Sequence, residues 1–261
     1  MKLPDISIVG SGVYLGKHFT LETIDVLKSC EKIFTIIRED TNEWLPEGVT
    51  AEINDLYHLY EINANRSDNY NRVVDYILDA ATPDHPIAYL TYGNPVVFDS
   101  VAHGVLEKAP ERGRTVKMYS TVSSVDTILV DLGKEMAPGL QIFEASFLVG
   151  YEIEPRIDLP CILLQLGVFG SFYATYEKAK SSKLKLLEDY LRKFYPDDHP
   201  LFLVNSQGGD NYPSYVLKVP VGELDNVDDA RICQSLYIPK LVDAKPNEEF
   251  LNLMSQAPTK E

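Results

Sequence analysis

The chain opens with DISIVGSGVYLGKHFTLETIDVLKSCEKIFTII, and this stretch limits the fold more than any other. An apolar run at residues 6–9 is followed by Gly10, Gly12 and Gly16, a helical pattern at 21–28, and a second apolar run at 32–37. A short buried strand, a glycine-rich turn, a helix and a second strand make a βαβ unit. Its crossover requires parallel strands, so helices must cover the sheet's faces and the chain must be α/β. The pattern continues with a helix over 67–81, where Tyr70, Val74, Ile77 and Ala81 share a stripe and Ser67 is placed to cap the N-terminus. A strand at 87–91 then runs into Tyr92-Gly93-Asn94-Pro95, followed by a helix at 100–108, a strand at 116–120 and a helix at 125–132.

The second half reads differently. Compact apolar runs at 161–166 and 201–205 and a third strand at 215–219 accompany one strong helix at 183–194, with Leu184, Leu187, Leu191 and Phe194 on one face. The expected organisation is two α/β domains, residues 1–119 and 120–243, with a polar tail at 244–261 that is extended over the surface or frayed. A cleft between two such domains is a preferred place for a small molecule.

Several function classes fall away on composition. With 24 Lys and Arg against 39 Asp and Glu, the 261 residues carry a formal charge of −15. That opposes binding to nucleic acid or an anionic membrane, both of which need basic surface to displace counterions. Cys30, Cys161 and Cys233 are widely spaced and form neither a disulfide framework nor a CxxC pair. No uncharged apolar run approaches the ~18 residues of a membrane span, and the first residues lack a signal-peptide core, so the expected location is the cytoplasm. The five histidines include no ligand-spaced pair, and no metal site is expected.

Two turns hold the candidate chemistry. The first, Gly10-Ser11-Gly12-Val13-Tyr14-Leu15-Gly16, is not a dinucleotide fingerprint, because GxGxxG would need glycine where Leu15 stands. The second, Tyr92 to Phe98, lies beyond the C-terminal end of an apolar strand, where α/β sheets bind ligands. Arg66 and Tyr70 are four residues apart and share a face if the helix includes Arg66, so the guanidinium could favour the phenolate. Taken alone, the plainer reading is favoured, since a tyrosine on an apolar stripe is more often core and such an arginine more often a surface cation. Tyr57, Tyr60 and Tyr92 are three of sixteen tyrosines and do not decide the matter by themselves.

In order along the chain, IVGSG with Phe19-Thr20-Leu21-Glu22-Thr23, then YLTYGNP, then STVSSVDTILVDLG resemble the tetrapyrrole methylase superfamily, whose members use S-adenosylmethionine. Within it, Tyr60, Arg66 and Tyr70, the turn YGNPVVF, Phe143-Glu144-Ala145-Ser146 and Tyr195-Pro196-Asp197-Asp198-His199 resemble the borosin peptide-backbone α-N-methyltransferases, which carry a YGHPGVF-type loop, an RxxxY pair and an FEAS segment. Asn94 stands where the borosin loop has His, Val96 where it has Gly, and Ser120-Thr121 where the wider family has Pro-Gly.

The resemblance implies methyl transfer from S-adenosylmethionine to backbone amides of a ribosomally made peptide. It implies that Tyr70, with Arg66 beside it, acts as or positions the base, and that Tyr60 and Tyr92 hydrogen-bond the amide and its carbonyl oxygen. It places the cofactor near Tyr92, Gly93, Asn94, Val97 and Phe98, with Ser123 and Ser124 close by and Leu164, Gln165, Leu166, Ser206 and Gln207 lining the adenosine. The closing PNEEFLNLMSQAPTKE lacks an apolar repetitive tract, which raises the expectation of a split system with a separate precursor peptide. A homodimer, or a heterotetramer with two precursors, is implied as well, with residues 43–66 as candidate partner contact. The alternatives are a small-molecule, porphyrinoid-type methylase and a catalytically silent protein that binds the cofactor or precursor.

Overall fold

The computed structural model describes residues 3–37, 40–174, 181–227 and 234–256. Its first half runs β1 (Ile6–Gly10), α1 (Leu21–Ser29), β2 (Lys32–Thr35), α2 (Thr41–Trp44), β3 (Glu52–Asp55), α3 (Arg66–Ala80), β4 (Ile87–Thr91), α4 (Ser100–Lys108) and β5 (Val116–Met118). The strands form a parallel sheet in the order β3-β2-β4-β1-β5. Strands β1 and β4 are buried at every residue, which is why they read as continuous apolar runs rather than alternating ones. On one face Ile6, Ile8 and Tyr89 pack beneath Val73, Val74 and Ile77 of α3 and Val101 and Val105 of α4. On the other, Val9, Ile33 and Leu90 pack beneath Val26 and Leu27 of α1 and Trp44.

The second half runs α5 (Ser124–Leu132), β6 (Gln141–Glu144), α6 (Ala145–Gly150), β7 (Cys161–Leu164), α7 (Ser181–Leu191), β8 (Pro200–Asn205), β9 (Tyr215–Pro220), β10 (Ser235–Ile238) and α8 (Glu248–Met254). This sheet is ordered β6-β7-β10-β8-β9 and is mixed: β6 pairs parallel with β7, and the other pairings are antiparallel. Leu184, Leu187 and Leu191 of α7 cover one face over Leu163, Leu201, Leu203 and Leu236. Ile128 and Leu129 of α5 cover the other over Ile162, Leu164 and Val204. The chain therefore changes sheets between Met118 and α5.

Three expectations are corrected. Asn65, not Ser67, caps α3: its side chain accepts the Ser67 N–H at 2.9 Å, and since Asn caps as well as Ser, the helix gains a turn position and takes in Arg66. The tail contains a helix, α8, capped by Asn247 accepting from the Phe250 N–H at 3.1 Å. Trp44 is buried and stacks on Phe19 with 6.1 Å between ring centres, so it is core rather than partner surface. Cys30 and Cys161 are free and buried, while Cys233 lies outside the described residues.

Helices α3 and α4 meet at Gly104, where a Cβ would lie 2.8 Å from Cγ2 of Val74. Gly104→Ala gains up to ~1 kcal/mol in helix propensity but overpacks a stiff β-branched side chain at a cost of about 1–3 kcal/mol. The expected result in urea unfolding is a net loss of about 1 kcal/mol, with Val74→Ala in the same chain relieving the clash so that the double variant loses less than the two singles together.

Candidate active site

The register that sets Gly10 opposite Thr91 brings the two glycine-containing turns side by side. Gly12 and Gly93 exchange backbone hydrogen bonds, 3.2 Å from the Gly12 N–H to the Gly93 carbonyl and 3.0 Å in return. A Cβ on Gly10 would lie 2.1 Å from the Gly93 carbonyl oxygen and 2.6 Å from Cγ2 of Thr121, so no larger residue fits while the turns remain paired. Asn94 adds a third segment: its Nδ2 donates to the Thr121 carbonyl at 2.5 Å and its Oδ1 accepts the Val96 N–H at 3.1 Å. Thr121 in turn donates its hydroxyl to the His18 carbonyl at 2.9 Å. Both polar atoms of the Asn94 amide are thus used in holding loops together. Val96 needs no left-handed backbone; that conformation falls instead on Gly93 (φ 72°) and Phe98 (φ 53°), the latter strained for a residue with a Cβ.

The second half closes on these turns. Val97 packs against the Ile128, Leu164 and Val204 cluster, the Leu15 N–H donates to the Gly208 carbonyl at 3.0 Å, and the Tyr14 hydroxyl bonds Asp210. Tyr92, on the β4 turn, has its hydroxyl 3.6 Å from where a Cβ on Gly208 would stand.

Arg66, Tyr70 and Tyr60 come together beside the first sheet. Arg66 opens α3 and Tyr70 follows one turn later on the same face of the helix. Tyr60 leaves a 3-10 turn, Tyr57–Leu59; its ring meets Tyr70 edge-on at 6.2 Å and stacks on Tyr57 at 5.5 Å. The second half fixes the arginine: Nη2 of Arg66 donates to the Ser171 carbonyl at 2.6 Å and its backbone N–H to Phe172 at 2.8 Å. Asn63 and Ala64 continue this short antiparallel ribbon with two bonds to Ala174, each 2.9 Å. Burial pushes the Tyr70 phenol up, the nearby Arg66 charge pulls it down, and burial prevails, so at rest Tyr70 keeps its proton. Burial raises Tyr60 as well, aided by Tyr70 and Asp99.

The residues expected around the cofactor fall into two groups. Gly93, Val97 and Phe98 lie on the β4 turn, and Gln165, with φ 61°, turns the chain after β7. Others are occupied. Ser123 caps α5 in a reciprocal box with Asp126, the Ser124 carbonyl accepts from Thr127, and Leu164 and Leu166 are core side chains. Ser206 donates to Asp131 at 2.6 Å, and Gln207 to the Gly209 carbonyl at 3.4 Å. The sequence reading missed the 171–174 ribbon, for which no local signal exists, and Asp99, whose place just before a helix is an N-cap signal that can be read. Among the described residues no three His, Cys, Asp or Glu side chains converge to hold a metal ion, and no helix is long and apolar enough to cross a membrane.

Residues 5–225 match the family of tetrapyrrole (corrin/porphyrin) methylases. The chain belongs to that family. Among curated relatives of this methylase, a methyltransferase/ribosomally synthesized type II borosin cyclic peptide precursor from Phlebiopsis gigantea is 28% identical over 92% of this chain and 43% of that protein. A type I counterpart from Serendipita vermifera is 30% identical over 76% and 48%, and one from Coprinopsis marcescibilis 24% over 100% and 69%. The methylase therefore spans about half the length of the first two of these relatives. In fold it is similar to uroporphyrin-III-C-methyltransferase from Thermus thermophilus, with a TM-score of 0.63 at 18% identity over 97% of both chains. A cobalt precorrin-4 methyltransferase gives 0.62 at 12% identity, over 90% of this chain and 94% of that one.

Gly10→Ala should force the two turns of this methylase apart, because the obstructing atom is backbone. Loss of about 2 kcal/mol or more in chemical unfolding is expected; an unchanged midpoint would mean that the turns separate freely.

Proposed function

We propose that this methylase transfers methyl groups from S-adenosylmethionine to backbone amide nitrogens of a ribosomally made peptide supplied as a separate chain. The observation that carries the reading is the placement of Arg66 and Tyr70 one turn apart on α3 with the Tyr60 ring against Tyr70, in a chain whose curated relatives are borosin methyltransferase precursors.

An amide nitrogen is a poor nucleophile because its lone pair is delocalised into the carbonyl. A site that alkylates it needs a base for the N–H, donors for the oxygen as imidate charge develops, and fixed alignment of nitrogen and methyl carbon. Tyr70 is the base. Arg66 keeps its charge at any working pH and stabilises the phenolate once formed, while the Ser171 carbonyl holds the guanidinium in place. The Tyr60 hydroxyl, kept protonated by burial, donates to the peptide oxygen, and Tyr92 shares that task from the β4 turn. The exposed rings of Phe172 and Tyr173, on the ribbon beside Arg66, offer apolar surface on which a separate peptide can lie.

The cofactor, when bound, supplies an electrophilic methyl on sulfonium. The residues fit it: the turns after β1 and β4 form a crevice beyond strand ends, and the position a Cβ would take on Gly93 is open. Val97 and Phe98 give apolar walls, with backbone around Gln165 available to an adenine edge. A homodimer, or a heterotetramer with two precursors, belongs to the same reading. The exposed stacked pair Phe147 and Tyr151, 5.2 Å apart, supports a further interface.

Two outcomes are expected. Co-expressed with a candidate precursor peptide, the protein should leave methyl groups on backbone nitrogens, localised by tandem mass spectrometry. Tyr70→Phe and Arg66→Ala should each reduce them by about 100-fold or more, with S-adenosylmethionine binding retained in calorimetry. Methylation of a porphyrinogen but no peptide would move the reading to a small-molecule methylase; tight cofactor binding without transfer to any acceptor would make the protein a silent binder. Because Tyr70 acts deprotonated and its phenol lies above the ordinary value of 10.0, the single-turnover rate should climb about tenfold per pH unit from neutrality upward. A flat profile would remove Tyr70 as the base.

A further inference from the structure

The loop between β8 and β9 reaches across to the first glycine-containing turn. Its base is tied to α5 by the Ser206 hydroxyl, which donates to Asp131 at 2.6 Å. Its tip is a closed turn, in which the Gly208 N–H donates to the Tyr212 carbonyl and the Tyr212 N–H to the Gly209 carbonyl, each at 3.1 Å. Two bonds join this tip to the turn after β1. The Leu15 N–H donates to the Gly208 carbonyl at 3.0 Å, and the Tyr14 hydroxyl donates to Oδ1 of Asp210. Tyr14 is itself braced: its N–H donates to Nδ1 of His18 at 3.0 Å, and the two rings meet edge-on at 5.9 Å. Gly208 also faces the turn after β4, since a Cβ there would lie 3.6 Å from the Tyr92 hydroxyl and 3.8 Å from the Val13 carbonyl oxygen. The loop tip therefore lies against both turns that form the crevice.

We propose that Tyr14 and Asp210 are positioning residues for the cofactor: their bond latches the β8–β9 loop across the crevice and slows the escape of S-adenosylmethionine. The inference rests on the cofactor role given to that crevice. Gly208 and Gly209 stand next to each other in the tip, so release returns more backbone freedom than it would to residues with side chains, and they have no side chain of their own to pack. The side-chain bond at Asp210 therefore decides how long the loop stays in place. It lies at the surface, where a hydrogen bond is modest in net strength; a latch of that strength opens for the cofactor to enter and closes behind it.

Tyr14→Phe removes only the donor and Asp210→Ala only the acceptor. Hydrogen exchange at the Leu15 amide, followed by NMR without cofactor, reads the latch directly. Each variant should speed that exchange by about 3- to 10-fold, while the paired Gly12 and Gly93 amides exchange as before. The double variant should exchange no faster than either single, and Asp210→Asn, whose side-chain oxygen still accepts, should fall between Asp210→Ala and the unaltered protein. Dissociation of labelled S-adenosylmethionine, measured by chase, should quicken by a similar factor in both singles and no further in the double. Unchanged Leu15 exchange in the two singles, or additive effects in the double, would overturn the latch. Faster exchange with unchanged dissociation would overturn the positioning role. If the unaltered protein binds no S-adenosylmethionine, the reading of the crevice fails, and Leu15 exchange still decides whether Tyr14 and Asp210 hold the loop.

Discussion

Two peptide units, those of Gly12 and Gly93, hydrogen-bond each other reciprocally, and the arrangement of the site follows from that pairing. It requires parallel β1 and β4 as neighbours, in the register that sets Gly10 opposite Thr91. It also requires the absence of a side chain at Gly10, where the Gly93 carbonyl already occupies the space. Once the turns are joined, Asn94 reaches Thr121 and Thr121 reaches His18, so the strap between the sheets is tied to both turns. An imidazole is not needed at position 94 for this purpose. An amide is better suited, because it donates and accepts at once in any pH range.

The second half contributes more than a wall. Its 171–174 segment adds to 63–66 as a two-stranded ribbon, and the Ser171 carbonyl receives the Arg66 guanidinium. The segment is itself anchored, since Ser146 accepts the Gly170 N–H at 3.1 Å and donates to Glu144, the cap of α6. The FEAS motif thus acts at a distance: it fixes a loop that fixes an arginine that faces a tyrosine. Arginine suits this role because its planar fork can satisfy a carbonyl and a phenol together, which a lysine ammonium on a flexible stem does less well.

Much of the first half was legible because fully buried parallel strands leave uninterrupted apolar runs, as at Ile6–Gly10 and Ile87–Thr91. Of the strands that lie at an edge or are very short, Val116–Met118 and Tyr215–Pro220 were still legible and three others were not. Glu52–Asp55 is a half-exposed edge strand and Gln141–Glu144 is another, while Ser235–Ile238 is central but only four residues long. In the site, the Arg66 and Tyr70 pairing followed from helical spacing once the helix began at Arg66, and that start depended on which of two good caps prevailed. The part played by Leu166 was not legible. Its apolar side chain suits an adenine wall and a core equally, and only the packing of α7 shows that it is core.

The opposing effects on Tyr70 explain why a buried phenol is paired with a cation at all. A phenol in water is too weak a base to take a proton from an amide, and burial strengthens it by making its anion costly. Burial alone would make the anion unreachable. Arg66 returns part of that cost, and the Ser171 carbonyl of the second half holds the guanidinium in place. In the proposed reaction the phenolate would thereby form beside the 171–174 ribbon that holds Arg66, the surface on which the peptide is proposed to lie.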